Sequence, residues 1–314
     1  MVRLRDVILG RPRRGRYTLA RRALQLAILL LFSLQAVLGY RILMGSLASS
    51  KILRIIPLMD PFAWIEHSVA TLSPTLESIT AVLVVVALYS ILGRFFCGWV
   101  CPMDLLFSIF ERKLALAKHP PHARPRLPSR LDKTIPVAMM IAYIVLTVII
   151  GQPFFTTISP IAGTTKLGEF VVGVVYRIPG AALASVISWS IFTLAALLVN
   201  IVGEYVFGVK RLWCKYICPV GNLYGLVMNK YSPLSIRIAK PSECVYCNLC
   251  SMVCPMNIDI VAYIKRGERV LRDHRCFHCG RCVEVCPRHV LTLGFRSGGQ
   301  DGVLHVHGGG ASKA

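Results

Sequence analysis

The sequence predicts a mainly α-helical protein in which two repeated helical hairpins form a four-helix transmembrane bundle, followed by a small C-terminal α+β domain. Three observations predict this architecture. Hydrophobic residues make up 55% of the 314-residue chain and charged residues only 16%, a composition too apolar for a soluble enzyme. Four apolar stretches approach or reach the length that crosses a bilayer. The last third of the chain carries eight cysteines in two identical runs.

We expect the chain to begin with a basic cytoplasmic leader over residues 1–22, followed by a membrane domain over residues 23–231. A transmembrane helix needs about 20 mostly apolar residues. Paired arginines precede the first apolar stretch, but no small-residue cleavage site follows it, so we expect an uncleaved helix there. The four predicted spans are Ala23–Tyr40, Leu76–Gly93, Ile135–Gly151 and Ala181–Val202.

The distribution of positive charge predicts how these helices are oriented. The formal net charge is +21, and arginine and lysine concentrate before the first span and between the second and third. By the positive-inside rule, both termini and the C-terminal domain face the cytoplasm of a bacterial inner membrane. Because the charges cluster at helix ends, anionic lipid is a better partner for them than nucleic acid.

The membrane domain contains an internal repeat. Residues 94–102 and 211–219 both read Arg-apolar-aromatic-Cys-x3-Cys-Pro, each after a predicted span. Repeated hairpins in membranes often pack about a pseudo-symmetry axis, so the two motifs are expected to meet. Their thiols could hold a further metal centre, form a redox dithiol pair, dock the C-terminal domain, or pack as buried reduced cysteines. These cysteines are Cys97, Cys101, Cys214 and Cys218.

The C-terminal cysteines have the spacing of a bacterial two-cluster ferredoxin. Each run reads Cys-x2-Cys-x2-Cys-x3-Cys-Pro, and in such domains the fourth cysteine of each run ligates the other cluster. We therefore predict an α+β domain over residues 232–296 with two [4Fe–4S] clusters. Zinc usually takes two pairs with a long spacer, and disulfides need an oxidising compartment, so both are disfavoured. The predicted ligands are Cys244, Cys247, Cys250 and Cys286 for cluster 1, and Cys276, Cys279, Cys282 and Cys254 for cluster 2.

Other cofactors are disfavoured by missing motifs. None of the eight histidines lies inside a predicted span, and no Cys-x-x-Cys-His occurs, so neither a membrane haem nor a c-type haem is expected. The sequence has no phosphate-binding loop and no dinucleotide fingerprint, which disfavours ATP and NAD. Electrons must therefore be exchanged with a partner protein or a lipid-soluble carrier. The glycine-rich residues 297–314 are predicted to form a flexible tail.

The chain resembles the NapH/MauN family of membrane-bound ferredoxin-type proteins. The two Cys-x3-Cys-Pro motifs, the segments Trp99–Pro102 and Ile217–Gly221, and the C-terminal cysteine runs carry the resemblance, which covers about residues 23–293. The resemblance implies quinol-linked electron transfer. NapH-like members resemble the membrane half of a quinol dehydrogenase that feeds periplasmic nitrate reductase, whereas MauN-like members belong to methylamine utilization.

These observations favour an integral membrane electron-transfer subunit, rather than a complete enzyme, that moves electrons between quinol and a partner oxidoreductase system. The loop between the first and second predicted spans carries side chains that could accept quinol protons: Asp60, Glu66 and His67. Solvated charges at the membrane interface would give the same pattern. Two other functions stay open: a redox assembly factor that supplies electrons for maturing a partner's cofactor, and a membrane anchor for another ferredoxin subunit.

Overall fold

Helices occupy most of the chain in the computed structural model, which describes residues 15–34, 43–52, 55–114, 129–175 and 183–295. Within these ranges a helical region comes first, and a small domain with the two cysteine runs follows it. The mainly α-helical fold expected from the composition is confirmed. The predicted tail and most of the predicted leader lie outside the described residues.

The helical region contains long apolar helices joined by shorter ones. Two π-helical turns, Trp213–Ile217 and Tyr224–Met228, flank its last helix. The helices are α1 (Arg16–Ser33), α2 (Pro61–Thr71), α3 (Leu76–Leu92), α4 (Phe95–Trp99), α5 (Pro102–Leu114), α6 (Ser129–Ile150), α7 (Phe154–Ile158), α8 (Pro160–Val175), α9 (Leu183–Phe207) and α10 (Pro219–Leu223).

Three of the four predicted spans coincide with helices over most of their length, namely α3, α6 and α9. Among the described residues, two segments are long and apolar enough to cross a membrane: Leu131–Ile150 in α6 and Ser190–Phe207 in α9. Helix α3 is apolar but has 17 residues, and the end of the first predicted span lies outside the described residues. The four-helix transmembrane bundle is therefore not confirmed, because length and composition support two spans.

Local sequence determines where several helices begin and end. The carboxylate of Asp60 caps α2 by accepting hydrogen bonds from the backbone N–H groups of Phe62 and Ala63, both at 3.1 Å. Pro61 occupies the first helical position, where its missing N–H costs no hydrogen bond. Helix α3 stops at Gly93, whose φ of +63° is readily adopted by glycine.

Two small antiparallel sheets accompany the helices. One connects α1 to α2, in a segment where the sequence predicted only a loop, because its strands are too short to give a clear alternating pattern. The other lies in the C-terminal domain and pairs Ile236 with Leu293. The strands are β1 (Leu43–Gly45), β2 (Ser49–Ile52), β3 (Ile56–Met59), β4 (Leu234–Ile238) and β5 (Leu291–Phe295), and the C-terminal helices are α11 (Leu249–Met252), α12 (Ile260–Lys265) and α13 (Arg281–Val285).

Each region has its own hydrophobic core. Aromatic side chains are prominent in the core of the helical region, where the rings of Phe62, Tyr143 and Phe155 have centroids between 5.1 and 6.5 Å apart. Aliphatic side chains dominate the core of the C-terminal domain. Cys97 and Cys214 pack against both cores, so these two repeat cysteines lie where the two regions meet.

Candidate metal centres

The eight C-terminal cysteines divide between two cavities, and each cavity takes three cysteines from one run and the fourth from the other. The cysteines that line the first are Cys244, Cys247, Cys250 and Cys286. Those that line the second are Cys254, Cys276, Cys279 and Cys282. The structure thus brings together the same two sets that the spacing predicts as ligands.

Matched left-handed backbone conformations shape the two runs. In each run, positive φ occurs at the second residue after the first cysteine, at the residue after the second cysteine, and at the third residue after the last. Such residues turn the chain sharply, which lets closely spaced cysteines line one cavity. The matched positions are Tyr246 and His278, Asn248 and Gly280, and Asn257 and His289.

Apolar side chains surround both sets of thiols. Ile236, Ile258 and Leu271 line the second cavity, and comparable aliphatic side chains line the first. The backbone N–H of Val290 donates to Cys286 Sγ at 3.3 Å. Low water access and N–H···S hydrogen bonds are the features by which proteins tune iron–sulfur clusters.

The donor chemistry of these cavities fits a four-iron cubane. All twelve cysteines of the chain lie in described residues, and all are free thiols. Over the described ranges, no three His, Cys, Asp or Glu side chains converge tightly enough to hold a single metal ion. A cubane distributes its four thiolates over four separate iron atoms, so its ligands need not converge on one point.

The second cavity is the one that adjoins the helical region. Trp99 Nε1 donates to the carbonyl oxygen of His278 at 3.0 Å. Asn229 Nδ2 donates to the carbonyl oxygens of Asp273 at 2.7 Å and Cys276 at 3.0 Å. These bonds hold the start of the second cysteine run against the ends of α4 and of the π-turn after α10.

A buried carboxylate gathers arginines at the same boundary. In α5, Asp104 lies 2.5 Å from Arg211 Nη1, 3.0 Å from Arg22 Nη1 and 3.6 Å from Arg21 Nη1. Burial alone would raise the pKa of Asp104, but these arginines outweigh burial and hold that pKa well below its usual range. Arg21 is fully buried at this boundary. This excess of positive charge suits an anionic, thiolate-ligated cluster.

The four repeat cysteines also come together. Cys101 and Cys218 are buried in the core of the helical region, and Cys97 and Cys214 pack against that core. Each motif is followed directly by a helix that begins with its proline, α5 in one case and α10 in the other. The predicted meeting of the two motifs is therefore observed within the described residues.

Glu66, a predicted proton acceptor, is fully buried, and its carboxylate is hydrogen-bonded by residues in and around α7. Its carboxylate accepts hydrogen bonds from Thr147 Oγ1 at 3.2 Å and from the backbone N–H of Phe155 at 2.8 Å. The backbone N–H and the hydroxyl of Thr156 donate to it at 2.9 and 2.6 Å. These bonds give Glu66 a structural role in holding α2 against α6 and α7.

Asp60 lies deeper in the helical region than a surface loop would place it. Tyr224 donates a 2.9 Å hydrogen bond to Asp60 Oδ1, although Tyr224 follows the second Cys-x3-Cys-Pro motif by only a few residues. Helix α2 therefore turns back into the core. Burial raises the pKa of Asp60 to about 6. His67 lies further along α2 and is half-buried. Proton acceptance by Asp60, Glu66 or His67 stays a prediction.

Sequence reasoning missed several residues that organise the boundary. Asp104 is an acidic residue in the first turn of the helix that directly follows a cysteine motif, and that position was a usable signal. Arg94 and Arg211 occupy the same place in the repeat, which was a second signal. Asn229 lies outside the sequence motifs, so only its tertiary contacts show that it helps to organise the boundary.

Two four-thiol cavities in one small domain define an iron–sulfur protein of the ferredoxin type. A family model described as a 4Fe-4S dicluster domain matches residues 243–291. A second model, described as a 4Fe-4S binding domain, matches residues 75–119 and 182–235 in the helical region. Iron–sulfur binding and a ferredoxin-type C-terminal domain are therefore confirmed.

Similar proteins share this class. The chain is 26% identical to the methylamine utilization ferredoxin-type protein MauN of Paracoccus denitrificans over 80% of both chains. It is 25% identical to the ferredoxin-type protein NapH of Haemophilus influenzae, over 77% of this chain and 75% of that one. It is 28% identical to NapH of Escherichia coli, over 77% and 76%. The chain is thus an electron-transfer protein related to NapH and MauN, as its motifs predicted. No solved structure matches it.

Proposed function

We propose that this chain is an integral membrane protein that moves electrons between the quinol pool and a redox partner. The observation that carries the proposal is the crossed pair of four-thiol cavities packed against a region of apolar helices. Two one-electron clusters match a two-electron donor such as quinol. The resemblance to NapH and MauN favours a partner system of periplasmic nitrate reduction or methylamine utilization.

Exposed apolar side chains support a membrane location for the helical region. Large apolar patches are unfavourable in water but are the normal surface of a helix in lipid. We infer four spans built on α1, α3, α6 and α9, with both termini and the ferredoxin domain in the cytoplasm. Apolar side chains that are more than half exposed on these helices include Leu83, Val148, Ile149, Leu194 and Leu198.

We infer that each ferredoxin cavity holds one [4Fe–4S] cluster through its four cysteines. A bound cluster supplies one-electron transfer. Because the second cavity adjoins the helical region, its ligand set would connect the membrane side with the first cavity. The arginines around Asp104 offset the negative charge of that ligand set. We propose that the membrane domain covers residues 23–231 and the ferredoxin domain residues 232–296, with α1 beginning before the membrane domain, at Arg16.

Among the predicted proton acceptors, Asp60 is the best candidate. Its carboxyl is buried, its pKa is about 6, and Tyr224 is its hydrogen-bond partner, so it could exchange a proton near neutral pH. Glu66 already accepts four hydrogen bonds from its surroundings.

Anaerobic EPR of the full-length protein in detergent tests the proposal. A menaquinol or ubiquinol analogue is added, and dithionite serves as the reference for complete reduction. We expect the quinol analogue to produce the signal of reduced clusters. Reduction by dithionite alone would contradict quinol oxidation by this chain and would favour the assembly-factor alternative.

A further inference from the structure

We propose that Cys97, Cys101, Cys214 and Cys218 hold a third [4Fe–4S] cluster between the two halves of the repeat. The proposal does not depend on quinol oxidation, because it concerns only what these four thiols bind. It rests on matched backbone geometry, on convergence of the thiols, and on the charges that surround them.

The two motifs share one wide backbone hydrogen bond at matched positions, although the first motif lies on an α-helix and the second on a π-helical turn. The N–H of Cys101 donates to the carbonyl oxygen of Phe96 at 2.9 Å, and the N–H of Cys218 donates to that of Trp213 at 2.8 Å. Both bonds span five residues, so each Cys-x3-Cys segment forms one wide helical turn. A wide turn at matched positions of a repeat is typical of a functional site rather than of ordinary packing.

The thiols of the two halves converge across the repeat. A Cβ added to Gly221, which lies just after the second motif, would be 3.1 Å from Cys97 Sγ of the first. Cys101 and Cys218 lie in the hydrophobic core of the helical region, and Cys97 and Cys214 pack against that same core, so the four lie together. No disulfide joins them. Four thiols that remain unpaired at such proximity are a donor set for a thiolate-ligated metal centre.

Reciprocal arginine contacts place positive charge on both sides of this group. Arg94 Nη2 donates to the carbonyl oxygen of Cys214 at 2.5 Å and would also lie 2.9 Å from a Cβ at Gly221. Arg211, the matching residue of the second half, pairs with Asp104. Gly221 and Asp104 occupy equivalent positions, each the seventh residue after the first cysteine of its motif. Each half of the repeat therefore places its arginine against the other half, as a local pseudo-two-fold arrangement would.

Arg94 is suited to stabilise a bound anion. It is fully buried, its Nε has no hydrogen-bond partner among the described residues, and its Nη2 and Cys97 Sγ both lie close to Gly221. A buried guanidinium without a carboxylate partner is costly unless another negative group is present. A cubane with four thiolate ligands carries a net negative charge and would supply that group.

The position and composition of the site favour a cubane over a single ion. A single zinc or iron ion takes all its ligands around one point, whereas a cubane spreads its four thiolates over four iron atoms. The family model described as a 4Fe-4S binding domain matches residues 75–119 and 182–235, which contain these four cysteines and none of the eight in the ferredoxin domain. Cys97 and Cys214 also touch both hydrophobic cores, so the cluster would lie next to the ferredoxin cavities.

The test is the iron and acid-labile sulfide content of the full-length protein, purified and reconstituted without oxygen. Three cubanes predict about twelve irons and twelve sulfides per chain. About eight irons, with or without one zinc, would overturn the proposal. About ten irons would indicate a two-iron centre and would equally overturn the cubane.

A variant with all four repeat cysteines changed to serine assigns the additional iron. We expect it to lose about a third of the iron while the EPR signals of the two ferredoxin clusters remain. Unchanged iron content in this variant would contradict the assignment. If the variant does not fold, the iron stoichiometry of the unmodified protein, with Mössbauer spectra to identify four-iron clusters, decides the question alone.

Discussion

At the scale of single residues, Asp104 shows how one carboxylate can organise a charged boundary. It is nearly fully buried and contacts Arg21, Arg22 and Arg211, which come from both ends of the helical region. Gln25 Nε2 adds a 2.9 Å hydrogen bond to the same oxygen that Arg22 contacts. Removing one partner of a buried ion network is costly, because the remaining charges stay buried without compensation.

Asp104→Asn should therefore destabilise the protein by about 3–5 kcal/mol. Thermal unfolding in detergent, followed by loss of cluster absorbance, measures the effect. Glu268→Gln is the matched control: it also removes one carboxylate, but from an exposed pair with Arg266 that should contribute about 0–1 kcal/mol. Equal effects of the two substitutions would contradict the role assigned to Asp104.

The crossed ligand sets lead to a second prediction at the residue scale. Cys286 lies in the second run but lines the cavity of Cys244, Cys247 and Cys250, whereas Cys254 lines the other cavity. Cys286→Ser should therefore change the EPR signal of cluster 1, and Cys254→Ser should change that of cluster 2. If Cys286→Ser changed only the cluster held by the second run, the ligation would be uncrossed.

At the scale of elements, the ferredoxin domain packs closely against the helical region at two glycines. A Cβ at Gly225, in the π-turn after α10, would overlap the carbonyl oxygen of His274. A Cβ at Gly98 in α4 would be 2.6 Å from the carbonyl oxygen of Phe277. Both carbonyl oxygens are backbone atoms at the start of the second cysteine run, and they cannot move aside as a flexible side chain would; at Gly98 the ring of Phe277 is an additional obstacle.

Gly225→Ala should consequently separate the second cysteine run from the helical region. We expect about 1–3 kcal/mol of destabilisation, as for other overpacked sites, and faster hydrogen exchange over residues 270–280. Gly294→Ala in β5 is the control, because no atom lies within 4 Å of the Cβ it would add. If hydrogen exchange over residues 270–280 were unchanged in Gly225→Ala, the contact at Gly225 would not be what holds the two regions together.

At the scale of the whole molecule, the arrangement of charge supports the membrane orientation that we propose. The arginine-rich start of α1 and the ferredoxin domain lie on the same side, since Thr18 Oγ1 donates to Glu284 Oε2 at 2.5 Å and Arg275 Nη1 lies 3.0 Å from Asp132 Oδ2 at the start of α6. Positive charge at these helix ends favours the cytoplasmic side.

A reporter enzyme fused after Ala314 should then be active only as a cytoplasmic reporter. Alkaline phosphatase, which needs an oxidising compartment, should be inactive at this position, and a cytoplasmic reporter such as β-galactosidase should be active. Fusion of each reporter directly after Val175, where α8 ends, gives the opposite expectation and serves as the control. Phosphatase activity after Ala314 would reverse the proposed topology.

Sequence reasoning succeeded where chemistry is local and failed where the fold brings distant segments together. The cysteine spacing predicted both ferredoxin sets, because consecutive turns at positions such as Asn248 and Gly280 restrict which thiols can share a cavity. Hydropathy located α3, α6 and α9 but not the re-entry of α2, since Asp60 and Glu66 resemble ordinary loop charges until Tyr224 and Thr156 are seen to bind them.

The sequence by itself determined the donor atoms, their division into runs and the duplicated cysteine motif, because these properties depend on residue type and covalent spacing. The tertiary structure decided which run adjoins the helices, that the four repeat cysteines form one group, and that Asp104 pairs with Arg211. Those contacts join residues far apart in the chain. Their energies depend on burial and on shared low-dielectric surroundings, which exist only after the chain has folded.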